Sequence, residues 1–196
     1  MSYLNEKQLK QVGFKSIGTN VLISDKASIY NADEIVIGSH SRIDDFCVIS
    51  GKVTVGNNVH IAVFCNIAGG EKGVVLDDFC GISYGSHVFT QSDDYSGLTL
   101  TGPTVPDEFK LETKKSIVIG RHSIVGANSI IFPGVSLAEG TSIGAFSMVT
   151  KSTKEWSIYF GIPAKRIKAR KKDLLKLEAA YLAQRSEKDG LESSID

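Results

Sequence analysis

The amino-acid sequence predicts an all-β fold: a parallel β-helix of six-residue repeats with one long excursion loop and a C-terminal α-helix. Three observations predict it. First, aliphatic residues recur at every sixth position. Ile37, Ile43, Ile49, Val55, Ile61 and Ile67 form one series, and Ile119, Val125, Ile131, Leu137, Ile143 and Val149 another. Ile17, Ile23 and Ile29, then Leu76, Ile82 and Val88, repeat the same step. A period of six suits neither an α-helix nor an alternating strand. It suits a solenoid in which each unit forms one flat side and three units close a coil. Second, small residues, Cys47, Cys65 and Cys80 among them, follow a repeat aliphatic by four places, where a second inward position needs little volume. Third, the period disappears between Thr90 and Lys115, in a segment rich in turn formers.

The elements follow in order. Residues 1–16 read as a cap. Residues 5–12 form a short helix that Asn5 begins and Gly13 ends, and it covers the open edge of the first coil. The coil domain spans residues 17–165. Its phase slips by two near Asn31–Ile35 and by three at Gly69–Glu71, which reads as insertions at corners. Residues 90–116 form the excursion loop, expected to lack regular structure and to carry function. The coil is expected to end after Val149, with an irregular stretch from Trp156 to Ile167. Residues 166–196 make a C-terminal helix and tail. The helix is expected over about 171–188, with Leu174, Leu177, Tyr181 and Leu182 on one stripe.

The 196 residues carry 22 basic and 22 acidic side chains, a net charge of zero. This speaks against a dedicated nucleic-acid binder, which is basic overall. No N-terminal signal pattern is present, and no apolar run approaches the ~18 residues of a membrane span. The chain is therefore expected to be cytoplasmic, without membrane insertion. Three cysteines in regular phase give neither a disulfide framework nor metal-ligand spacing.

Gly81–Gly85 (Gly-Ile-Ser-Tyr-Gly) matches the pattern of a serine-hydrolase elbow. That chemistry needs a strand, a tight turn and a helix. Here Ile82 belongs to the repeat and no helix follows, so the match reads as coincidence. Of the four histidines, His60 and His87 each precede a repeat aliphatic and point outward, whereas His40 and His122 fall near corners. The apolar neighbours of His60 suggest a partly desolvated cleft, and His60 and His87 are the candidate bases. The basic run Lys165, Arg166, Lys168, Arg170, Lys171 and Lys172 reads equally as a solvated turn or an anion site.

The runs Ile119–Asn128, Phe132–Val135, Ile143–Lys151 and Tyr159–Lys165 resemble the hexapeptide-repeat acyltransferases, in particular the maltose, galactoside and streptogramin acetyltransferase branch. The resemblance implies a left-handed coil and a homotrimer with a site between each pair of subunits. It implies acetyl-CoA as co-substrate and a carbohydrate acceptor. Gly126, Ala127 and Ala145 would line the pantetheine path, and Lys151, Lys165 and Arg166 would approach the nucleotide phosphates. In that branch the excursion loop opens on an aromatic-Thr-x-x-His segment whose histidine is the general base. Here the segment is Phe89–Asp93, with Asp93 in place of histidine. A carboxylate is the weaker base near neutrality, so O- and N-acetylation both stay open.

The resulting expectation is an acetyl-CoA-dependent acetyltransferase acting on a sugar or nucleotide-sugar hydroxyl or amine, in the synthesis of bacterial surface polysaccharide. His60 or His87 removes a proton, and Asp93 or Asp94 orients that imidazole or binds sugar hydroxyls. Tyr95 is a candidate to stack on or hydrogen-bond the sugar, a backbone N–H meets the oxyanion, and no metal is expected. Two other readings are a non-catalytic β-helix used in assembly, and a γ-type carbonic anhydrase, for which His60 and His87 fall on different sides of the coil.

Overall fold

The structure, a computed structural model, describes residues 2–192. The six-residue period becomes three columns of parallel strands. On the first face Ile17, Ile37, Val55, Leu76, Ile119 and Leu137 stand in register. The second face stacks Ile23, Ile43, Ile61, Ile82, Val125, Ile143 and Tyr159. On the third, Ile29, Ile49, Ile67, Val88, Ile131 and Val149 are stacked. From Ile37 to Val149 these repeat aliphatics are buried, each contributing about 1.5–3 kcal/mol by leaving water. Ile17 and Ile29 of the first coil are only partly buried, because helix α1 (Glu6–Val12) covers that end through Leu9. A capping box between Asn5 and Gln8 starts α1, and Gly13 at φ 78° stops it.

Corners obey a second rule. The third residue after a repeat aliphatic turns the chain in a left-handed conformation: Asn20, His40, Phe46, Asn58, Phe64, Phe79, Gly85, His122, Asn128 and Phe146 all do so. The fourth residue then points inward and hydrogen-bonds the next coil. Ser41 Oγ donates to Gly56 O at 2.7 Å, Ser86 Oγ to Gly126 O at 3.0 Å, and Ser129 Oγ to Gly144 O at 3.0 Å. The cysteines serve the same ladder, Cys47 Sγ lying 3.0 Å from Ala62 O and Cys65 Sγ 3.1 Å from Ser83 O. Burial pushes the Cys80 thiol up to about 12, so it stays a neutral donor.

Both phase slips fall at the corner between the third and first faces. The first is a 3-10 turn, Ala32–Glu34. The second is a bulge in which Gly51 faces Gly70 and the register shifts on either side. Glycine is required there, since a Cβ on Gly69 would lie 2.0 Å from Lys52 O. The excursion leaves the coil at this same corner. It is not structureless: Gln91–Ser92 pairs antiparallel with Thr113–Lys114, and Leu100 bridges Lys110. Ion pairs from Lys114 to Glu71 and Glu112, both at 3.1 Å, brace this neck.

Val149 does not end the coil. Ser157–Phe160 adds one more strand to the second face, and Lys165–Ala169 returns antiparallel to it, four residues past the expected boundary. Helix α2 (Leu174–Glu192) starts three residues later than predicted. It crosses the corner between the first and second faces, where Glu178 pairs with Arg121 and Tyr181 Oη donates to Asn58 Oδ1 at 3.1 Å. Of the expected apolar stripe, Leu174 is partly buried, while Leu177 is 72% exposed. The contact is more polar than its pattern suggested. Residues 193–196 of the expected tail lie outside the described residues. No described helix is long and apolar enough to cross a membrane.

Candidate active site

The corner that throws out the loop also carries a cleft of about 500 Å³. Asn31, Gly51, Gly70 and Thr90, one from each of four successive coils, form its floor, and Gln91, Asp93, Tyr95 and Pro103 form the loop side. The glycines keep the floor free of side chains. Thr90 is buried and donates to Gly69 O at 2.7 Å, locking the point where the loop departs.

Two adjacent aspartates have different surroundings. Asp93 lines the cleft, and its Oδ1 accepts from Gly102 N at 3.2 Å. Asp94 turns into the loop. It accepts from the backbone N–H of Ser96, Leu98 and Thr99 at 2.9, 3.0 and 3.2 Å. The Ser96 side chain first, and then these backbone N–H groups, hold its carboxyl below the usual aspartate range. Asp94 thus organises the loop rather than facing the cleft. Tyr95 stands at the cleft mouth, 91% exposed.

The histidines are placed differently from expectation. His60 does not sit in a desolvated cleft. Its side chain is 48% exposed on the second face, with Nε2 2.8 Å from Oδ2 of the buried Asp44. Arg42 Nε holds the other oxygen of Asp44 at 2.6 Å. His87 is exposed on the third face, paired in register with Asn66 and Ile130. Within one copy of the chain, neither lines the cleft beside Asp93.

A second set of predicted residues gathers at the corner between the second and third faces. Gly126 and Ala127 follow one strand of the second face and Ala145 follows the strand stacked on it. A Cβ on Gly126 would lie 2.4 Å from Ala145 N, so the backbones of consecutive coils touch there. Lys165 sits beside this corner, opposite Phe160 in the closing hairpin. Arg166 lies further along the hairpin, with Nε on Ser157 Oγ at 2.9 Å. Lys151 follows the third-face strand Met148–Val149 and is exposed at the other corner, on the side of the cleft.

No family model matches the chain. Individual relatives do. It is 44% identical over 184 residues to the dTDP-4-amino-4,6-dideoxy-D-glucose acyltransferase of Escherichia coli, spanning 92% of this chain and 95% of that one. The chain belongs to the hexapeptide-repeat acyltransferases. Among solved structures, the N-acyltransferase AntD from Bacillus cereus is 46% identical, with a TM-score of 0.92 over 93% of this chain and 98% of that one, in complex with dTDP and coenzyme A. Another AntD structure, with a TM-score of 0.93, holds dTDP and 3-hydroxybutyryl-CoA.

Several of the AntD structures are of variants, substituted at an aspartate or at a serine ten residues before it. In this acyltransferase Ser83 and Asp93 stand at that spacing, at the fourth coil and the start of its loop; the other serine–aspartate pair so spaced, Ser186 and Asp196, belongs to the C-terminal end of the sequence. Ser83 was not among the site candidates read from the sequence. It lies inside the Gly81–Gly85 run, where the absence of a hydrolase elbow was reason to set it aside. It sits directly after Ile82, in the same coil position that Gly126 holds after Val125. That shared phase was the signal available to find it.

Proposed function

We propose that this acyltransferase moves an acyl group from acyl-CoA to the amino group of a dTDP-4-amino-4,6-dideoxy sugar. The observation that carries the reading is Asp93: an aspartate at the cleft, where the resembling branch has histidine, at the spacing from Ser83 that the substituted pair of AntD shows. The chemistry agrees with a carboxylate base. An attacking amine becomes acidic only as its bond to carbon forms, so a weak base suffices, whereas a hydroxyl needs its proton drawn off earlier. The amine nitrogen attacks the thioester carbonyl carbon. The C–N bond forms, the C–S bond breaks, the nitrogen proton passes to Asp93, and Asp93 returns it, through water, to the departing sulfur, which leaves as free CoA.

The same reading requires more than one copy of the chain. Ser83 and Asp93 belong to one coil but flank opposite ends of its third face. A six-residue side at ~3.3 Å per residue separates them by roughly 15–20 Å. Lys151 and the Gly126–Ala145 corner are divided in the same way. We infer a homotrimer in which the loop corner of one copy faces the Ser83 corner of the next, with acyl-CoA along Gly126, Ala127 and Ala145 and the acceptor toward the cleft. Rotational symmetry about an axis parallel to the coil keeps equal coils level, which brings Ser83 opposite Asp93. Lys165 and Lys151 then flank the coenzyme phosphates from the two copies. Dependence on acyl-CoA places the reaction in the cytoplasm, and its product is an activated sugar of the kind used to build surface polysaccharide.

The test is release of CoA thiol from acetyl-CoA with dTDP-4-amino-4,6-dideoxy-D-glucose, alongside its 4-hydroxyl counterpart. Turnover with the amine alone supports the reading. Turnover with the hydroxyl alone replaces it with O-acylation, and no binding of CoA at millimolar concentration returns the chain to a non-catalytic assembly role.

A further inference from the structure

At the Ser83 corner the left-handed position of successive coils carries Phe46, Phe64, Gly85, Asn128 and Phe146. A bulky residue at positive φ is costly, and glycine or asparagine is the low-cost choice. Phe79 makes the same turn at another corner, where Arg121, His122 and Tyr181 pack around its ring. Phe46 and Phe64 have no such cover, being 51% and 59% exposed. Their rings stack on each other, with centroids 5.1 Å apart and planes at 11°. Lys26 Nζ stands 5.7 Å from the far side of the pair, over Phe46. The face of Phe64 that turns toward the next coil meets glycine, because Gly85 supplies no side chain there. One coil further on, Asn128 carries its amide over Gly85, with Oδ1 2.4 Å from where a Gly85 Cβ would stand. Two coil rises, about 10 Å, separate the backbones of Phe64 and Asn128, and the Asn128 amide reaches down to the Gly85 level at the inner edge of the Phe64 ring.

We propose that this slot is the nucleobase subsite of the acceptor: the pyrimidine of the nucleotide sugar stacks on the open face of Phe64, with the Asn128 amide at its edge. The inference rests on the nucleotide-sugar reading above. It accounts for the strained, exposed aromatics, since stacking on an aromatic side chain recovers free energy only when the base arrives.

The test compares wild type with Phe64→Ala, Phe64→Leu and Phe64→Tyr. Three quantities are measured: KM for the nucleotide sugar, KM for acetyl-CoA, and the inhibition constant of dTDP. The alanine and leucine variants are expected to raise the first and third about tenfold or more. The tyrosine variant is expected to restore both, and the acetyl-CoA KM is expected to hold in all three. Phe64→Leu keeps apolar bulk without a flat face, so a purely structural contact would survive it and the nucleotide constants would not move, which overturns the proposal. A rise in the acetyl-CoA KM instead assigns the slot to the coenzyme's adenine and overturns it equally. Wild-type turnover of the amino sugar is read first, so failure of the acceptor assignment is seen separately from failure of the slot.

Discussion

Asp93 and Asp94 are adjacent in sequence, but one carboxylate borders the cleft and the other is occupied by loop backbone. Asp93→Asn keeps the shape and removes the proposed proton acceptor, so kcat is expected to fall about 10²–10⁴-fold with the oligomeric state unchanged, read by thiol release and gel filtration. Asp94→Ala is expected to act differently, raising acceptor KM and exposing the loop to protease. Its pH dependence has a definite sign. The folded carboxyl lies below its ordinary value of 3.8, so its ordering of the loop is complete above that value and is lost as pH falls through the lower, folded one. Proteolysis of the loop across that acidic range, compared with the Asp94→Ala variant, measures it. His60→Ala is expected to retain turnover, because its Nε2 is engaged by the carboxylate of Asp44 at 2.8 Å. The outward phase of His60 was legible in the sequence. Asp44, sixteen residues before it, was not, because the pairing depends on which coils lie side by side.

At the scale of elements, the corner ladder and helix α2 each carry a prediction. Ser129 Oγ donates to Gly144 O and accepts from Ser147 N at 3.1 Å, both within the coil. Ser129→Ala leaves these buried groups short of partners, at a cost of about 1–3 kcal/mol, seen as a lower midpoint in denaturant. Glu178 holds α2 to the corner through Arg121, and its Oε2 stands 3.0 Å from His122 Nε2, a buried nitrogen with no aligned hydrogen bond. Glu178→Ala is expected to speed amide exchange along α2 while the coil strands keep their protection. The period of six was enough to pick out the inward-facing aliphatics and to locate both slips, because inward packing repeats with each unit, but which face each joins after a slip took the structure to assign. The attachment of α2 was not legible. Its apolar stripe pointed to a hydrophobic seam, whereas the contact formed uses a carboxylate that meets Arg121 from a distant coil. Nor did the period reveal that phenylalanines would occupy left-handed turns, a conformation propensity assigns to glycine and asparagine.

For the whole molecule, the coil places Ser83 and Asp93 at opposite ends of one face, and on the proposed reading a single copy cannot close both on one substrate. The resemblance implied a trimer, and Asp93 was visible as a departure from its pattern. Ser83 and the need for two corners emerged only once both residues had positions in the coil. Mixing two inactive variants tests this most directly. Asp93→Asn disables the loop side, and Ala127→Trp blocks the coenzyme path on the other. If the site is shared, refolding them together in equal amounts creates interfaces with both sides intact. Acyl transfer then returns to about a quarter of the wild-type rate, the chance that random neighbours in a ring supply one good half each. If each copy holds a whole site, the mixture stays as inactive as its parents, and that result would contradict the account.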